Sequence, residues 1–297
     1  MRIWLTAVLS LLLLTAAPAR ADAPTADGVT REPTRVGGDT ATVWYPSRTE
    51  HRLPIALMLP GANVRGEYYS RFATALAGYG FVVVIPERYP LPGYSLPSEH
   101  SVTEVVAWAR ARAADPASAV GAVVDPETLL LAGHSYGGAA AVYAAADRCQ
   151  PPFCFGVSYR RPAQLKAVVG HGTNTTIGST VDAVDVHGIP VLYINGTEDG
   201  VSELAEARDS FASLTGAPAA QLVELLGANH FGLTDRDNPP GAAPDPRRGS
   251  APRADTIAAA ARWTAMWFHA HLGNAAAAAY VTHIGPRTDT AVRVASR

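Results

Sequence analysis

The feature that most constrains the fold is an apolar run that leads into a glycine-flanked serine and then into an alanine-rich segment. Residues 129–138 read Leu-Leu-Leu-Ala-Gly-His-Ser-Tyr-Gly-Gly, and alanines dominate residues 139–146. This pattern predicts a buried strand, a sharp turn and a helix, with Ser135 at the turn. Gly133 and Gly137 leave room for the close backbone packing that such a turn needs. We interpret Ser135 as a nucleophile at the end of a strand, where the helix N-terminus stabilises negative charge.

Apolar runs of strand composition alternate with segments of helical composition along the rest of the chain. This alternation predicts an α/β fold of three layers, with a mainly parallel central sheet and helices on both faces. A weaker alternating stretch at 40–45 predicts an antiparallel edge strand before the first buried strand. The predicted strands cover 55–59, 81–85, 128–132, 167–170, 191–194 and 222–225, and the predicted helices cover 69–77, 102–114, 137–146, 202–214 and 255–271.

Two later loops contain the partners that a serine nucleophile needs. A serine hydroxyl is a weak nucleophile at neutral pH, so a base must accept its proton and a carboxylate must orient that base. Asp199 and His230 each follow a predicted strand, in the chain order serine, acid, histidine. Glu198 is the competing carboxylate, and we favour Asp199 because it lies nearer the end of the turn and is shorter. The sequence therefore predicts a triad of Ser135, Asp199 and His230.

The same chemistry requires N–H donors for a tetrahedral oxyanion. One expected donor is the backbone N–H of Tyr136, at the start of the helix. The second is expected in the loop after the first buried strand, at Ala62, with Asn63 as the alternative; an ordinary Pro-Gly turn is the other interpretation of this loop. We predict that Asn63, His171 and Phe231 contact substrate, although core packing explains the last two equally well.

The first 21 residues have the composition of an export signal. Arg2 supplies positive charge, residues 3–17 form an apolar run, and Ala19-Arg20-Ala21 offers small residues at a cleavage point. We predict that this segment is removed and that residues 22–297 form a single secreted or periplasmic domain. The alternative is an uncleaved membrane anchor, but the run is shorter than the roughly 20 residues that span a bilayer. Without the two arginines of the signal, 22 basic residues remain against 26 acidic ones, which gives no indication of nucleic-acid binding.

Two irregular stretches interrupt the pattern. Residues 147–164 are predicted to form a loop or small cap, and for its Cys149 and Cys154 an exported protein favours a disulfide over two free thiols. The stretch 234–253 is rich in Pro, Asp, Arg and Gly; its aspartates are potential ligands of a hard cation, but a solvated, capped loop is the simpler interpretation. We predict no metal and no cofactor, and we expect the final residues of the tail after Asn274 to be frayed.

Four short motifs are similar to those of one known group of proteins. They are Leu-Pro-Gly-Ala-Asn-Val at 59–64, Tyr-Gly-Phe-Val-Val-Val at 79–84, Gly-His-Ser-Tyr-Gly-Gly at 133–138 and Gly-Ala-Asn-His-Phe-Gly at 227–232. The chain thereby resembles the α/β-hydrolase superfamily over roughly residues 43 to 271. More narrowly, the four motifs look like those of the bacterial group related to dienelactone hydrolases, and the chlorophyllases, the platelet-activating-factor acetylhydrolases and the cutinase-type esterases belong to the same broad neighbourhood.

This resemblance implies a serine hydrolase that cleaves carboxylic esters through an acyl-enzyme, without a metal. It implies Ser135, Asp199 and His230 as the triad, Tyr136 and Ala62 as the oxyanion donors, and a small-molecule or lipid ester as the substrate. Two departures weaken any transfer of a specific substrate: dienelactone hydrolases often have a cysteine where Ser135 stands, and many bacterial cutinases have their cysteine pair near the C-terminus.

Other functions remain open at this point. A thioesterase or a peptidase can use the same triad, and a secreted binding protein without catalytic activity can use the same scaffold. We expect a monomer with neither a nucleic-acid partner nor a transmembrane segment.

Overall fold

The computed structural model describes residues 28–154 and 159–297. The predicted export signal, residues 1–21, lies outside these ranges. Among the described residues, no helix combines the length and the apolar composition that crossing a membrane requires.

Nine strands of the described chain form one sheet, whose six central members run parallel. Its order is β1-β2-β4-β3-β5-β6-β9-β10-β11; β4, β3, β5, β6, β9 and β10 are parallel to one another, and the outer strands are antiparallel to their neighbours. The short strands β7 and β8 pair separately. The bounds are β1 Val29–Val36, β2 Asp39–Pro46, β3 Leu53–Leu59, β4 Val82–Glu87, β5 Val124–His134, β6 Leu165–His171, β7 Thr176–Ile177, β8 Thr180–Val181, β9 Val191–Gly196, β10 Ala220–Leu225 and β11 Val292–Ser296.

Helices cover both faces of this sheet. On one face α2, α3, α4 and α5 pack against alternate strand residues such as Ile55 and Leu57, while α1 and α6 pack on the other face against Ala56 and Met58. Because successive side chains of a strand point to opposite faces, both faces are apolar and the strands read as continuous hydrophobic runs. The bounds are α1 Ser70–Gly78, α2 His100–Ala114, α3 Ala119–Val123, α4 Tyr136–Ala145, α5 Leu204–Ser213, α6 Arg253–His271, α7 Ala275–Ala279 and α8 Gly285–Thr288; single turns of other helix types cover Gly66–Tyr69 and Tyr280–Ile284.

The predicted fold class is confirmed: the protein has a three-layer α/β fold with a mostly parallel sheet. The predicted edge strand at 40–45 is antiparallel as expected, but it is not an edge, because β1 continues the sheet beyond it. The prediction that the final residues of the chain are frayed is wrong, because Ser296 pairs with Gln221 and Arg297 exchanges backbone hydrogen bonds with Ala220. The side chain of Asn274 accepts a hydrogen bond from the N–H of Ala277 and caps α7, and β11 then pairs with β10 at the opposite end of the sheet.

Candidate active site

Ser135 lies in a sharp turn between the end of β5 and the start of α4. Its backbone has φ 54° and ψ −124°, a conformation that costs energy for any residue with a Cβ. Neighbouring chain holds it there: the N–H of Ser135 donates to the carbonyl of His171 at 2.8 Å, and the hydroxyl of Thr173 donates to the carbonyl of Ser135 at 2.8 Å. The hydroxyl of Ser135 therefore faces the carboxyl edge of the sheet, at the helix N-terminus.

The two glycines of the motif are required by contact. A Cβ at position 133 would lie 2.1 Å from the carbonyl oxygen of Gly137, and one at position 137 would lie 2.1 Å from the carbonyl oxygen of Leu59. Neither distance is compatible with a side chain, so this turn is open only to a glycine on each side of the serine.

Asp199 and His230 form a buried pair beyond the ends of β9 and β10. The Nδ1 atom of His230 lies 2.9 and 3.1 Å from the two carboxylate oxygens of Asp199. His230 is 4% exposed and Asp199 is 1% exposed. The Oδ1 atom of Asp199 also accepts from the N–H groups of Val201 and Ser202 at 2.9 and 2.8 Å. With Nδ1 donating to the carboxylate, Nε2 of His230 is the nitrogen that can accept a proton.

Glu198, the competing carboxylate, points elsewhere. Both of its oxygens bind Ser250, one accepting from the backbone N–H and the other from the hydroxyl, each at 2.6 Å. The structure thus brings Asp199, and not Glu198, to the histidine.

In the described part of the chain no hydrogen bond joins the Ser135 hydroxyl to the His230 imidazole, whose Nδ1 atom is paired with Asp199. His134, the neighbour of Ser135, stacks at a tilt against His230 with 4.7 Å between ring centroids. Gly172 lies beneath the pair, since a Cβ there would be 3.2 Å from Asp199 Oδ2 and 3.3 Å from His230 Nδ1. Catalytic hydrogen bonds of this kind are often long or poorly aligned in a site without substrate and tighten when substrate binds.

The loop that follows β3 lies directly against the serine. A Cβ at Gly61 would be 3.3 Å from Cβ of Ser135, so Ala62 is adjacent to the site. Among the described residues, neither the N–H of Ala62 nor that of Tyr136 donates to a protein acceptor. Both predicted donors are therefore unengaged beside Ser135. Asn63 has φ 56°, and its side-chain oxygen accepts from the N–H of Ser95 at 2.8 Å, so it closes the loop.

A buried hydrogen-bond chain connects this loop to the histidine. The N–H of Gly61 donates to the hydroxyl of Tyr69 at 2.9 Å, and that hydroxyl lies 2.9 Å from Nδ1 of His134. Nε2 of His134 lies 2.9 Å from the carbonyl oxygen of His230. Burial, together with nearby His230, holds the pKa of His134 well below its usual 6.5, so its ring is neutral. A carbonyl only accepts, so Nε2 donates and Nδ1 accepts from Tyr69.

A cavity of about 310 Å³ opens beside Ser135. Its apolar wall includes Phe153, which lies edge-on to Tyr136 with ring centroids 5.5 Å apart. Thr173, Asn174 and Ser202 are polar residues of its lining. The loop of residues 149–154 also lines this cavity, and a disulfide between Cys149 and Cys154 closes that loop, as the sequence predicts.

His171 and Phe231 do not line this cavity, and neither does Asn63. Nε2 of His171 donates to the hydroxyl of Thr264 on α6 at 3.1 Å, and burial lowers the pKa of His171 to about 3. Phe231 is 2% exposed and lies edge-on to the ring of His230. Both residues pack the underside of the site, which is the core interpretation that the sequence leaves open.

The aspartates of the 234–253 stretch are engaged within the protein. Asp237 accepts from the side chain of Asn229 at 2.9 Å, and Asp235 accepts from the N–H of Arg71 at 3.2 Å. The described residues contain no cluster of His, Cys, Asp and Glu side chains arranged to hold a metal ion.

Sequence reasoning missed Tyr69, Gly172 and Thr173. Thr173 follows the end of a predicted parallel strand, so its position was a usable signal for the cavity edge. Gly172 and Tyr69 act through contacts with residues distant in the chain, which no local pattern reports.

The sheet, the strained serine turn between a strand and a helix, and the buried carboxylate–histidine pair after later strands define the α/β-hydrolase class. Within that class, residues 33–157 match the family model described as Chlorophyllase. The match includes Ser135, Tyr136 and Ala62 and ends before Asp199 and His230. It confirms the resemblance to the chlorophyllase group and indicates an ester hydrolase. A search of curated proteins finds no match.

Proposed function

We propose that this protein is a secreted serine hydrolase that cleaves carboxylic esters through an acyl-enzyme on Ser135. The observation that carries the proposal is the buried Asp199–His230 pair, 2.9 Å apart, beside a serine held in a strained turn at the start of α4. A strained serine backbone and a buried carboxylate–histidine pair each lower the stability of a protein. Such features are concentrated in active sites.

In the proposed reaction, Nε2 of His230 accepts the Ser135 proton as the hydroxyl oxygen attacks the ester carbonyl carbon. The oxyanion that forms is bound by the N–H groups of Tyr136 and Ala62, each worth about 3 kcal/mol of barrier reduction in a dry site. The carbon–oxygen bond to the alcohol then breaks, and the imidazolium returns its proton to the departing alcohol. Asp199 stabilises the imidazolium and keeps its own charge throughout.

Water completes the cycle by the same steps. His230 takes a proton from water while the water oxygen attacks the acyl-enzyme, and the carboxylic acid leaves as Ser135 recovers its proton. The atoms balance as one ester and one water giving one alcohol and one acid.

The cavity supports a modest ester as substrate. A volume of about 310 Å³ is at the lower end of the range for small-molecule sites. Its aromatic and proline wall at residues 151–153 suits an apolar acyl or alkyl group. The name of the matched family makes chlorophyll one ester to test, and phospholipids, polyesters and short acyl esters are the others.

Hydrolysis of p-nitrophenyl esters tests the reaction. Ser135→Ala is expected to abolish turnover in folded protein, whereas the matched variant Ser213→Ala is expected to retain it, because the Ser213 hydroxyl only donates to the carbonyl of Asp209 on exposed α5. Retention of most activity by Ser135→Ala contradicts the proposal.

The other functions differ in measurable ways. A thioesterase or peptidase would prefer thioesters or amides over oxygen esters in a panel of acyl donors of matched chain length. A binding protein without catalysis would not react with a fluorophosphonate.

Export is supported by the composition of residues 1–21 and by the disulfide, which persists in oxidising compartments. An intact mass of the exported protein that still includes those residues would contradict signal cleavage.

A further inference from the structure

One side chain of the 234–253 stretch binds the backbones of both the acid and the base loops. The carboxylate of Asp245 is 5% exposed, and its Oδ2 accepts from the N–H of His230 at 2.7 Å. The same carboxylate lies 3.2 and 3.3 Å from the N–H of Gly200, the residue after Asp199. No motif in the sequence singles out this aspartate.

The position of Asp245 is itself fixed by its own loop. Its Oδ1 accepts from the N–H of Arg247 at 2.8 Å, and its own N–H donates to the side chain of Asn238 at 2.8 Å. The guanidinium of Arg247 then reaches the carbonyl of Asp199 at 3.2 Å and the carboxylate of Glu203 at 2.7 Å. The segment 245–247 thereby contacts the acid loop at three points.

The contact with Gly200 is tight. A Cβ at position 200 would lie 2.6 Å from Oδ1 of Asp245 and 2.9 Å from Cγ of Arg247. Any side chain there would push the aspartate away from the two loops. Because Gly200 has no side chain, the carboxylate of Asp245 can lie within hydrogen-bond distance of the Gly200 N–H.

A buried carboxylate is costly unless N–H groups satisfy it, and here the donors come from Gly200, His230 and Arg247. The acid and base loops also share a direct link, from the N–H of Glu198 to the carbonyl of Ala228 at 2.9 Å, but that link lies before each of the paired residues. At the Asp199–His230 pair itself, Asp245 joins the two loops, because its carboxylate binds the N–H groups of both Gly200 and His230.

We propose that Asp245 is a positioning residue, which holds the backbones of Gly200 and His230 so that the imidazole stays aligned with both Asp199 and Ser135. This inference rests on the proposed function, since alignment matters only where His230 accepts a proton. Displacement of a reacting group by about 1 Å costs on the order of 100-fold in rate. Asp245 does not line the cavity beside Ser135 and acts through the backbones of Gly200 and His230.

The test compares Asp245→Ala with Asp235→Ala in steady-state hydrolysis of a p-nitrophenyl ester, at a temperature where circular dichroism shows both variants folded. Asp235 belongs to the same loop and also accepts a backbone N–H, but on α1, away from the site. We expect kcat to fall about 100-fold for Asp245→Ala with KM within about 2-fold. Asp235→Ala is expected to keep kcat within about 2-fold while it lowers the melting temperature.

A double-mutant cycle with Gly200→Ala separates positioning from general damage. Gly200→Ala keeps every donor and acceptor but displaces the carboxylate, so we expect it to lower kcat by itself and to add little in the Asp245→Ala background. Additive losses, or a kcat for Asp245→Ala equal to that of the wild type, overturn the inference. Ser135→Ala is run alongside: if it stays active the proposed function fails, and if it is inactive while Asp245→Ala is unimpaired only the positioning role fails.

Discussion

Replacement of Asp199 by asparagine tests the pairing of acid and base with little change in shape. In the structure Oδ1 of Asp199 accepts from two backbone N–H groups, of Val201 and Ser202, while Oδ2 is the closer oxygen to His230 Nδ1. An asparagine keeps its single carbonyl oxygen at the Oδ1 position, since an NH₂ group there would face two donors. Its NH₂ group must then face His230.

The consequence is a reversed imidazole. Facing an N–H donor, Nδ1 of His230 becomes the acceptor and the proton moves to Nε2, which can no longer accept the proton of Ser135. We expect kcat to fall about 10⁴-fold, equivalent to about 5 kcal/mol of lost transition-state stabilisation, with KM changed little.

The assay is ester hydrolysis at pH 7 with Glu198→Gln as the matched control. Glu198 is the adjacent carboxylate and binds only Ser250, so Glu198→Gln is expected to stay within about 3-fold of the wild type. A kcat for Asp199→Asn within about 10-fold of the wild type would refute the assigned tautomer, and a large loss with Glu198→Gln would show that the acid is misassigned.

Three further perturbations have defined outcomes. Tyr69→Phe leaves the N–H of Gly61 and Nδ1 of His134 without their partner, so urea unfolding should show a loss of about 2–4 kcal/mol, and an unchanged free energy would contradict the hydrogen-bond chain. Gly172→Ala places a Cβ against the Asp199–His230 pair at φ 50°, so fluorophosphonate labelling should slow about 10-fold or more; a wild-type labelling rate would exclude this close contact. Burial raises the pKa of Glu99 to about 7, above the 4.5 of an unfolded chain, so its contribution to stability is full below pH 4.5 and is lost as the pH rises to about 7. Between pH 5 and pH 8 the wild type should therefore lose about 3 kcal/mol more stability than Glu99→Gln, and parallel losses would contradict this assignment.

The sequence was sufficient for the central sheet because its strands are buried on both faces. Runs such as 55–59 and 191–194 are continuously apolar, and each is followed by a polar or glycine-rich loop, so both the strands and their carboxyl ends were recognisable. The spacing of Asp199 and His230 after such strands then placed both at one edge of the sheet, where the structure brings them together.

The outer strands were not recognisable for the opposite reason. In β11 only Val292 is buried, and β1 presents polar side chains such as Arg31 and Glu32, so neither has an apolar run to detect. Their positions come from backbone pairing with β10 and β2.

The supports of the site were hidden for a third reason. Tyr69, Gly172 and Asp245 act through hydrogen bonds or contacts with residues far away in the chain, such as His134 and His230. From the sequence, Asp245 is expected to be a solvated turn residue, because it lies in a proline-rich loop. Only the fold shows that its carboxylate is buried. For His171 the sequence left substrate contact and core packing equally open, and in the structure its Nε2 atom contacts the buried hydroxyl of Thr264.

The most direct test of the central claim is to map the site of covalent reaction. Folded protein is incubated with a fluorophosphonate, digested, and sequenced by tandem mass spectrometry. We expect a single phosphonyl group on Ser135, and no such adduct when His230 is replaced by alanine under the same brief exposure. A label on another residue, or no label on the folded wild-type protein, would contradict it.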